Sequence, residues 1–404
     1  MEKKKVLMII PYLGFGGAQK VFYNLSVELG EFYEITECGF NANDGYAYPS
    51  GNELLYLNVE GSANLIGKFL NFIKRCVRLR VIKKQLKPTV TISHLEGADY
   101  VNLLSGGPGR KILCIHGTKN YDEKISGFLG IVRKKLLMPL LYGRADKIIT
   151  VSKEIKEELV MDYRVPAEKV QVIYNWFDIK NIDKLAAESI EEKYDGLYNK
   201  KVIILSGRFD IQKNFINFLK VIKAIVEKEN CKFVFLGDGS LRESLLQTAT
   251  TLGLKFHSDW ASTSPVADAD IVFLGYQKNP YKFLLKADLF VLPSSWEGFP
   301  LALGEAMCCR LPVISANCPT GPAEMLDGAF GHNTKAETQY TQYGILLPLL
   351  RDDSLTIDIW SKEIRKVVNN EMLLRRYSLT SKVRMQNYTK DKIINQWMAM
   401  INQL

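Results

Sequence analysis

Histidine is scarce in this chain: 404 residues carry four of them, so any chemistry that needs an imidazole has few candidates. The seven cysteines include no CxxC pair and are odd in number, which argues against a disulfide framework or a zinc ribbon. A reduced, cytoplasmic protein is the expected setting, with Cys308 and Cys309 adjacent inside a predicted helix. Long hydrophobic runs are also missing, and none approaches the roughly 20 residues that cross a bilayer. The opening MEKKKVLMII has a basic lead and an apolar stretch, but Pro11 stops it too early for a signal segment, so it reads as a first strand. Acids are sparse between Ser62 and Lys147, where 17 Lys/Arg face 5 Asp/Glu. An anionic partner, if one is met, meets this part of the chain. Its length exceeds one ordinary core and predicts two domains, and its hydrophobic share of 47% excludes wholesale disorder.

What is present is an alternation of short apolar runs and helical patterns, the signature of parallel, doubly wound sheets. The expected division is an α/β unit over 1–180, a charged linker over 181–199 and a second α/β unit over 200–388. A terminal helix over 389–404 completes it. After the first strand, PYLGFGGAQ places Gly14, Gly16 and Gly17 before a helix. The spacing nearly matches a dinucleotide fingerprint, but Gln19 stands at the third glycine. Neither Glu37 nor Asp44 is well placed to bind a ribose at a second strand end. Nicotinamide binding is therefore disfavoured, and close approach of a phosphate or sugar to this loop is the better reading.

Residues 64–87 put Leu65, Phe69, Phe72, Ile73, Cys76, Leu79, Ile82 and Leu86 at helical spacing, with eight basic residues and no acid between them. Residues 126–144 repeat the theme with Phe128, Leu129, Ile131, Val132 and an Arg133-Lys134-Lys135 run. Both suit an anionic membrane surface. Each also suits a helix packed on a sheet with a solvated basic face. Aromatic-interleaved basic motifs are lacking, which argues against nucleic acid as a partner. His116 follows a strand over Lys111–Ile115, at the end where open α/β sheets hold ligands, although a satisfied structural histidine is as good a reading.

In the second half, a strand over Val202–Leu205 runs into SGRFDIQKN, which carries Arg208 and Lys213. Arg208 offers a planar fork for a phosphate and Lys213 a point charge. Further on, PSSWEGFPLALGEAM sets Glu297 in a loop after a buried strand and Glu305 in a helix expected from about Pro300 to Cys309. Pro300 suits the first helical turn, and the free N–H groups there favour a phosphate. The plainer alternative makes Glu297 a solvated loop residue and Glu305 a helix-surface charge. Residues 255–270 lack periodicity and read as an irregular insertion. They contain Asp268-Ala269-Asp270, an acid pair of a kind common by chance.

SGRFDIQKN, FLGDGS, FLGYQKNPY, ADLFVLPSSWEGFPLALGEAM and LPVISANCPTGPAEML, with VSKEIKEEL and VIYNWFD upstream, resemble retaining glycosyltransferases of family 4. The likeness spans nearly the whole chain and is most specific between Ser206 and Leu326. It implies the GT-B fold, two Rossmann-like domains facing across a cleft. By that resemblance Arg208 and Lys213 hold the donor diphosphate, Glu305 binds the nucleotide ribose and Glu297 reaches hydroxyls of the donor sugar. Gly207, Gly298, Phe299, Pro300 and Leu301 form the turns that touch sugar and phosphate. Gly16 and Gly17 close over the diphosphate, and His116 lies near the reaction centre. The helix from about Lys390 should return to the first domain. Ala323 stands where some relatives have a basic residue, so any contact that side chain makes is absent.

The implied activity moves a sugar from a nucleotide donor, UDP ahead of GDP, to a glycan or polyprenyl-diphosphate-linked acceptor in surface polysaccharide assembly. The location would be cytoplasmic, peripheral on the inner face of the membrane. No metal or other cofactor is expected. Fixed cations and a helix start aimed at the departing diphosphate act where charge develops. Without a confident side-chain nucleophile, front-face attack is the favoured route to retention. The competing reading is a catalytically silent sugar-nucleotide sensor on the same fold.

Overall fold

A computed structural model describes residues 3–42, 48–121, 130, 132–261, 264–328 and 337–404. The chain divides into one unit of Met1–Asn175 with Asp391–Leu404 and a second of Trp176–Lys390.

The first unit is built on seven parallel strands, β1 (Lys5–Ile9), β2 (Glu34–Gly39), β3 (Glu53–Tyr56), β4 (Val90–His94), β5 (Arg110–Ile115), β6 (Lys147–Thr150) and β7 (Val170–Val172). Their order is β3-β2-β1-β4-β5-β6-β7. Central strand β1 is apolar and buried beyond Lys5, as a sheet covered on both faces requires, and β4 is buried throughout although Thr91, Ser93 and His94 are polar. β2 escapes a hydrophobicity reading because Glu34, Thr36 and Glu37 interrupt it. Glu37 is nevertheless buried inside the strand and accepts a hydrogen bond from Ser26. It is thus a structural group, and Asp44 lies outside the described residues.

Helix α1 (Gly17–Gly30) follows the glycine loop, α2 (Leu65–Leu86) is the basic helix, and α3 (Glu96–Leu104) follows β4. Asn64 caps α2 by accepting the Gly67 N–H at 2.6 Å, and Lys87 ends it in the left-handed region. The apolar positions of α2 serve two faces, not one. Phe72, Cys76, Leu79, Ile82 and Leu86 pack on the core beside the sheet. Leu65, Ile66, Phe69, Leu70, Ile73, Val77 and Val81 stand exposed on the other side, with Ile66 at 74% and Phe69 at 63%. Of the second basic segment, residues 126–129 and 131 lie outside the described residues; Arg133 pairs with Glu96.

Lys83 is the exception among the basic residues of α2, being fully buried. Its Nζ donates to Asn102 O at 3.1 Å, Asn102 Oδ1 at 2.8 Å and Ser105 Oγ at 2.9 Å, which ties α2 to α3. Burial, followed by the charge of Lys111, lowers its pKa to about 7. The unfolded chain holds that proton up to the ordinary lysine range, so it binds more protons than the folded state between pH 7 and 10. Stability relative to a Lys83→Met variant therefore rises across that window. Chemical denaturation of both proteins at pH 7 and pH 9.5 checks the sign.

The C-terminal helix Lys390–Gln403 buries Ile393, Ile394, Trp397, Met400 and Ile401. Lys4 Nζ donates to Ile401 O at 3.4 Å and Tyr33 Oη to Asn402 Oδ1 at 3.2 Å, which places its end on the first unit.

The second unit holds β8 (Lys201–Ser206), β9 (Cys231–Leu236), β10 (Phe256–Ser258), β11 (Ile271–Phe273), β12 (Leu289–Leu292), β13 (Val313–Ala316), β14 (Gln339–Tyr340) and β15 (Ile345–Leu347). The order is β10-β11-β9-β8-β12-β13-β15-β14, parallel except for the β14–β15 pair. Residues 181–199, expected as a linker, instead belong to this unit. The helix Ile179–Ala186 buries Ile182 and Ala186, and Tyr194 and Leu197 are buried after it. The expected insertion over 255–270 contributes β10 as an edge strand. Lys232 joins the two segments, its Nζ donating to Gly196 O at 2.7 Å and Val266 O at 2.6 Å. A buried ammonium meeting backbone carbonyls leaves no hydrophobic pattern that would have marked this tie in the sequence.

Candidate active site

In the second unit the expected donor residues gather at the C-terminal ends of β8 and β12. After β8 the chain turns through a 3-10 segment, Ile211–Lys213, which Asp210 caps by accepting the Lys213 N–H at 3.3 Å. Buried Phe209 anchors the turn, packing edge-on to Phe215 and Trp260. The loop after β12 is laced to this turn, with Gln212 Nε2 donating to Trp296 O at 2.8 Å and Ser295 N to Gln212 O at 2.8 Å. It is laced also to the loop after β13, where Pro319 O accepts the Glu297 N–H at 3.0 Å and Thr320 Oγ1 donates to Glu297 O.

These ties bring Lys213 Nζ to 2.6 Å from Glu297 Oε1, with side chains only 14% and 6% exposed. Gly207 allows the lysine stem to run over the backbone, since a Cβ there would stand 3.1 Å from Lys213 Cε. Arg208 reaches a nearer carboxylate, its Nε donating to Asp210 Oδ2 at 2.6 Å, and keeps its side chain 55% exposed. Glu305 is buried too and accepts from Tyr281 Oη at 3.2 Å. Neither acid is the solvated surface charge of the plainer reading.

The helix carrying Glu305 begins one residue later than expected and spans Leu301–Cys308. Pro300 is its N-cap, with φ −69° and ψ 108°, outside the helical region. Pro300 offers no side-chain cap, so the N–H groups of the first turn, from Leu301 to Leu303, point to where an anion could be held. Phe299 is buried edge-on to Tyr388 at 5.1 Å, which fixes the turn that Gly298 opens. Asp270, of the Asp268-Ala269-Asp270 stretch, accepts the Lys255 N–H at 3.0 Å beside β10, a backbone role.

The remaining expected residues lie in the first unit. Gly16 precedes α1, and Gln19 folds back so that a Cβ on Gly16 would meet Gln19 Oε1 at 2.2 Å. A buried glutamine thus fills the place of the third fingerprint glycine. Gly17 begins α1. His116, just past β5, is half-buried, and its Nε2 lies 2.8 Å from Nδ1 of His94, the last residue of β4. The rings stack with centroids 5.0 Å apart and planes 23° from parallel. Burial drives the pKa of His94 well down, and burial with the Lys119 charge lowers His116 to about 3, so both rings are neutral at pH 7.

His94 was missed at the sequence level, although two of the four histidines end neighbouring strands. With Cys114 the pair forms, among the described residues, the one group of three possible metal ligands within 4.8 Å. Zinc bonds of 2.0–2.1 Å at tetrahedral angles separate nitrogens by about 3.3 Å. The rings would have to part to admit the ion between them. The cluster is built as a hydrogen-bonded pair.

The described family Glycosyltransferase Family 4 matches residues 15–181, and Glycosyl transferases group 1 matches residues 188–337. The chain is a GT-B glycosyltransferase of the family 4 type. It is 27% identical over 356 residues to N-acetylgalactosamine-N,N'-diacetylbacillosaminyl-diphospho-undecaprenol 4-alpha-N-acetylgalactosaminyltransferase of Campylobacter jejuni, covering 87% of this chain and 92% of that one. It is 23% identical over 408 residues to the amylovoran biosynthesis glycosyltransferase AmsD of Erwinia amylovora, covering 99% of each. Among solved structures, HepE of Anabaena in complex with UDP and glucose superposes with a TM-score of 0.74 at 16% identity, over 99% of this chain and all of that one. At that identity the likeness concerns fold. In this glycosyltransferase no helix among the described residues is long and apolar enough to cross a membrane.

Proposed function

We propose that this glycosyltransferase moves a hexose or N-acetylhexosamine from a UDP-sugar to a glycan or polyprenyl-diphosphate-linked glycan in surface polysaccharide assembly, with retention and without a metal. The observation that carries the reading is the buried Lys213–Glu297 pair beside Arg208 and the uncapped start of the helix Leu301–Cys308. Lys213 rests on Glu297 of the loop after β12, and Arg208 on Asp210 of its own turn. A donor diphosphate offers phosphate oxygens to Lys213 and Arg208, and Glu297 is then placed to accept hydrogen bonds from sugar hydroxyls. As the sugar–phosphate bond breaks, negative charge grows on the departing oxygen, where ammonium, guanidinium and helix N–H groups stabilise it. That oxygen takes the proton of the attacking hydroxyl on the same face, so configuration is kept.

The choice of UDP draws on the UDP and glucose in the HepE complex, and the lipid-linked acceptor on the diphospho-undecaprenol substrate in the Campylobacter enzyme's name. Glu305, held by Tyr281, is the expected ribose contact. The test is transfer from a panel of UDP- and GDP-sugars to undecaprenyl-diphosphate-linked glycans, with EDTA present, and assignment of the product anomer by NMR. Retained configuration in EDTA is the expected result; inversion or a strict Mn²⁺ or Mg²⁺ requirement rejects the mechanism.

The outer face of α2 supports a peripheral position on an anionic membrane. Exposed Ile66, Phe69, Ile73, Val77 and Val81 form a stripe flanked by exposed Lys74, Arg80 and Lys84, with no acid on the helix. A basic residue near such a surface contributes about 1 kcal/mol. Replacing Lys74, Arg80 and Lys84 by serine is expected to weaken binding to phosphatidylglycerol vesicles about 100-fold at low salt. Co-sedimentation checks this, and unchanged binding would remove α2 as the contact.

A further inference from the structure

Resting on the reading that His116 belongs to a sugar-transfer site, we propose that His94 is a positioning residue which fixes His116 as the Nδ1–H tautomer. His116 then serves as a hydrogen-bond donor to the reacting sugar or acceptor and not as a base. The two rings are brought together by the sheet. In the parallel β4–β5 pair His94 stands opposite Cys114, and His116 lies two residues beyond it. The contact between Nδ1 of His94 and Nε2 of His116, 2.8 Å, is a hydrogen-bond distance. Both rings are neutral at pH 7, so a single hydrogen lies between the two nitrogens.

Two arrangements satisfy that contact, and they differ at the far side of His94. If His116 donates from Nε2, then His94 must carry its own hydrogen on Nε2. If His94 donates from Nδ1, its Nε2 is a bare acceptor. His94 Nε2 is fully buried, and no partner reaches it among the described residues. A buried N–H without an acceptor is rarer in folded proteins than an acceptor without a donor. The second arrangement follows: His94 Nδ1–H donates, His116 Nε2 accepts, and the hydrogen of His116 sits on Nδ1.

This assigns the chemistry of His116. Its Nε2 is occupied by His94, and its half-buried ring is left with an N–H to present. Such a ring cannot take the acceptor's proton through Nδ1. It can orient an oxygen, which agrees with a route in which the departing phosphate takes that proton. His94 touches neither substrate and acts through its neighbour.

The experiment uses full-length protein labelled with ¹⁵N-histidine, where four imidazoles give a tractable long-range ¹H–¹⁵N spectrum. The His116 ring is assigned by His116→Gln. Expected is the Nδ1–H pattern for His116 in the wild type and in His94→Asn, whose amide N–H can stand in for the donor. In His94→Leu the ring should revert toward the Nε2–H form that free imidazole prefers. With turnover, His94→Leu should lower kcat about 10- to 30-fold at nearly unchanged donor KM, an effect on the scale of one lost orienting hydrogen bond, and His94→Asn should recover most of it. An Nε2–H pattern for His116 in the wild type overturns the proposal, as does a pattern indifferent to His94→Leu. Stoichiometric Zn²⁺ that shifts both rings and removes the Nδ1 proton also overturns it, by making the cluster a metal site. Since the spectrum needs no substrate, a protein inert toward every sugar nucleotide would sink the transfer reading and leave the tautomer result standing. If His94→Leu does not fold, the wild-type and His94→Asn spectra still decide.

Discussion

Lys213→Met is expected to lower kcat for sugar transfer about 10²- to 10³-fold, the effect of losing one group aimed at charge that develops in the transition state. The same substitution should lower stability by about 3 kcal/mol, because it leaves the carboxylate of Glu297 buried opposite a methyl group. Two losses from one change would ordinarily be hard to separate. The pair geometry separates them. With Lys213 Nζ at 2.6 Å from Glu297 Oε1, the stability loss belongs to the orphaned carboxylate and should be largely reversed in Lys213→Met/Glu297→Gln. The catalytic loss belongs to the missing ammonium and should persist there. Steady-state kinetics and thermal melts on the two variants check this. Turnover that returned along with stability would make the pair a structural bridge and would favour the silent-sensor reading. Arg208, more exposed and resting on Asp210, should show a smaller stability change with Arg208→Gln, since its removal strands a carboxylate that water reaches.

The residues of the proposed donor half were legible because apolar strands end where they do. Val202–Leu205 of β8 and all of β12 are unbroken buried runs, so the polar residues after them had to sit at strand ends, where open sheets gather ligands. Glu297 and Glu305 could be named, but whether they were buried depended on loops far apart in sequence, notably the carbonyl of Pro319 and the hydroxyl of Thr320. Polar groups satisfied by partners distant in the chain, backbone or side chain, leave no local signal. That same limit hid Glu37 in β2, the Lys232 tether that turns an expected linker into part of the second unit, and His94. The helix α2 failed differently. Its apolar residues were seen as one stripe because a hydrophobicity pattern records spacing, not which of two opposite faces meets the core. Phe72 and Leu79 go in, whereas Phe69 and Val77 stay out.

The glycine after β9 offers the sharpest test of how closely the loops of the proposed donor site are fitted. Gly237 has φ +143°, and a Cβ placed on it would stand 1.9 Å from the carbonyl oxygen of Gly207. The neighbour is backbone, held in turn by the Gly207 N–H to Leu236 O bond at 3.0 Å, so no flexible side chain can yield. Backbone strain and overpacking each contribute about 1–3 kcal/mol, and Gly237→Ala is expected to destabilise the protein by about 4 kcal/mol. In a unit of this size that lowers the melting temperature by about 8–16 °C. Gly253→Ala is the matched control. It too has a left-handed φ, +66°, but nothing lies within 4 Å of its Cβ position. It carries the strain without the clash and should lose only about 1 kcal/mol. Equal melting temperatures for the two variants would mean that the approach of the β9 loop to Gly207 relaxes freely. If instead Gly237→Ala is the less stable, the carbonyl of Gly207 has been displaced, and the turn that carries Lys213 moves with it. A shift of about 1 Å in such a group lowers rate about 10²-fold, so the folded fraction of Gly237→Ala should also turn over more slowly than that of Gly253→Ala.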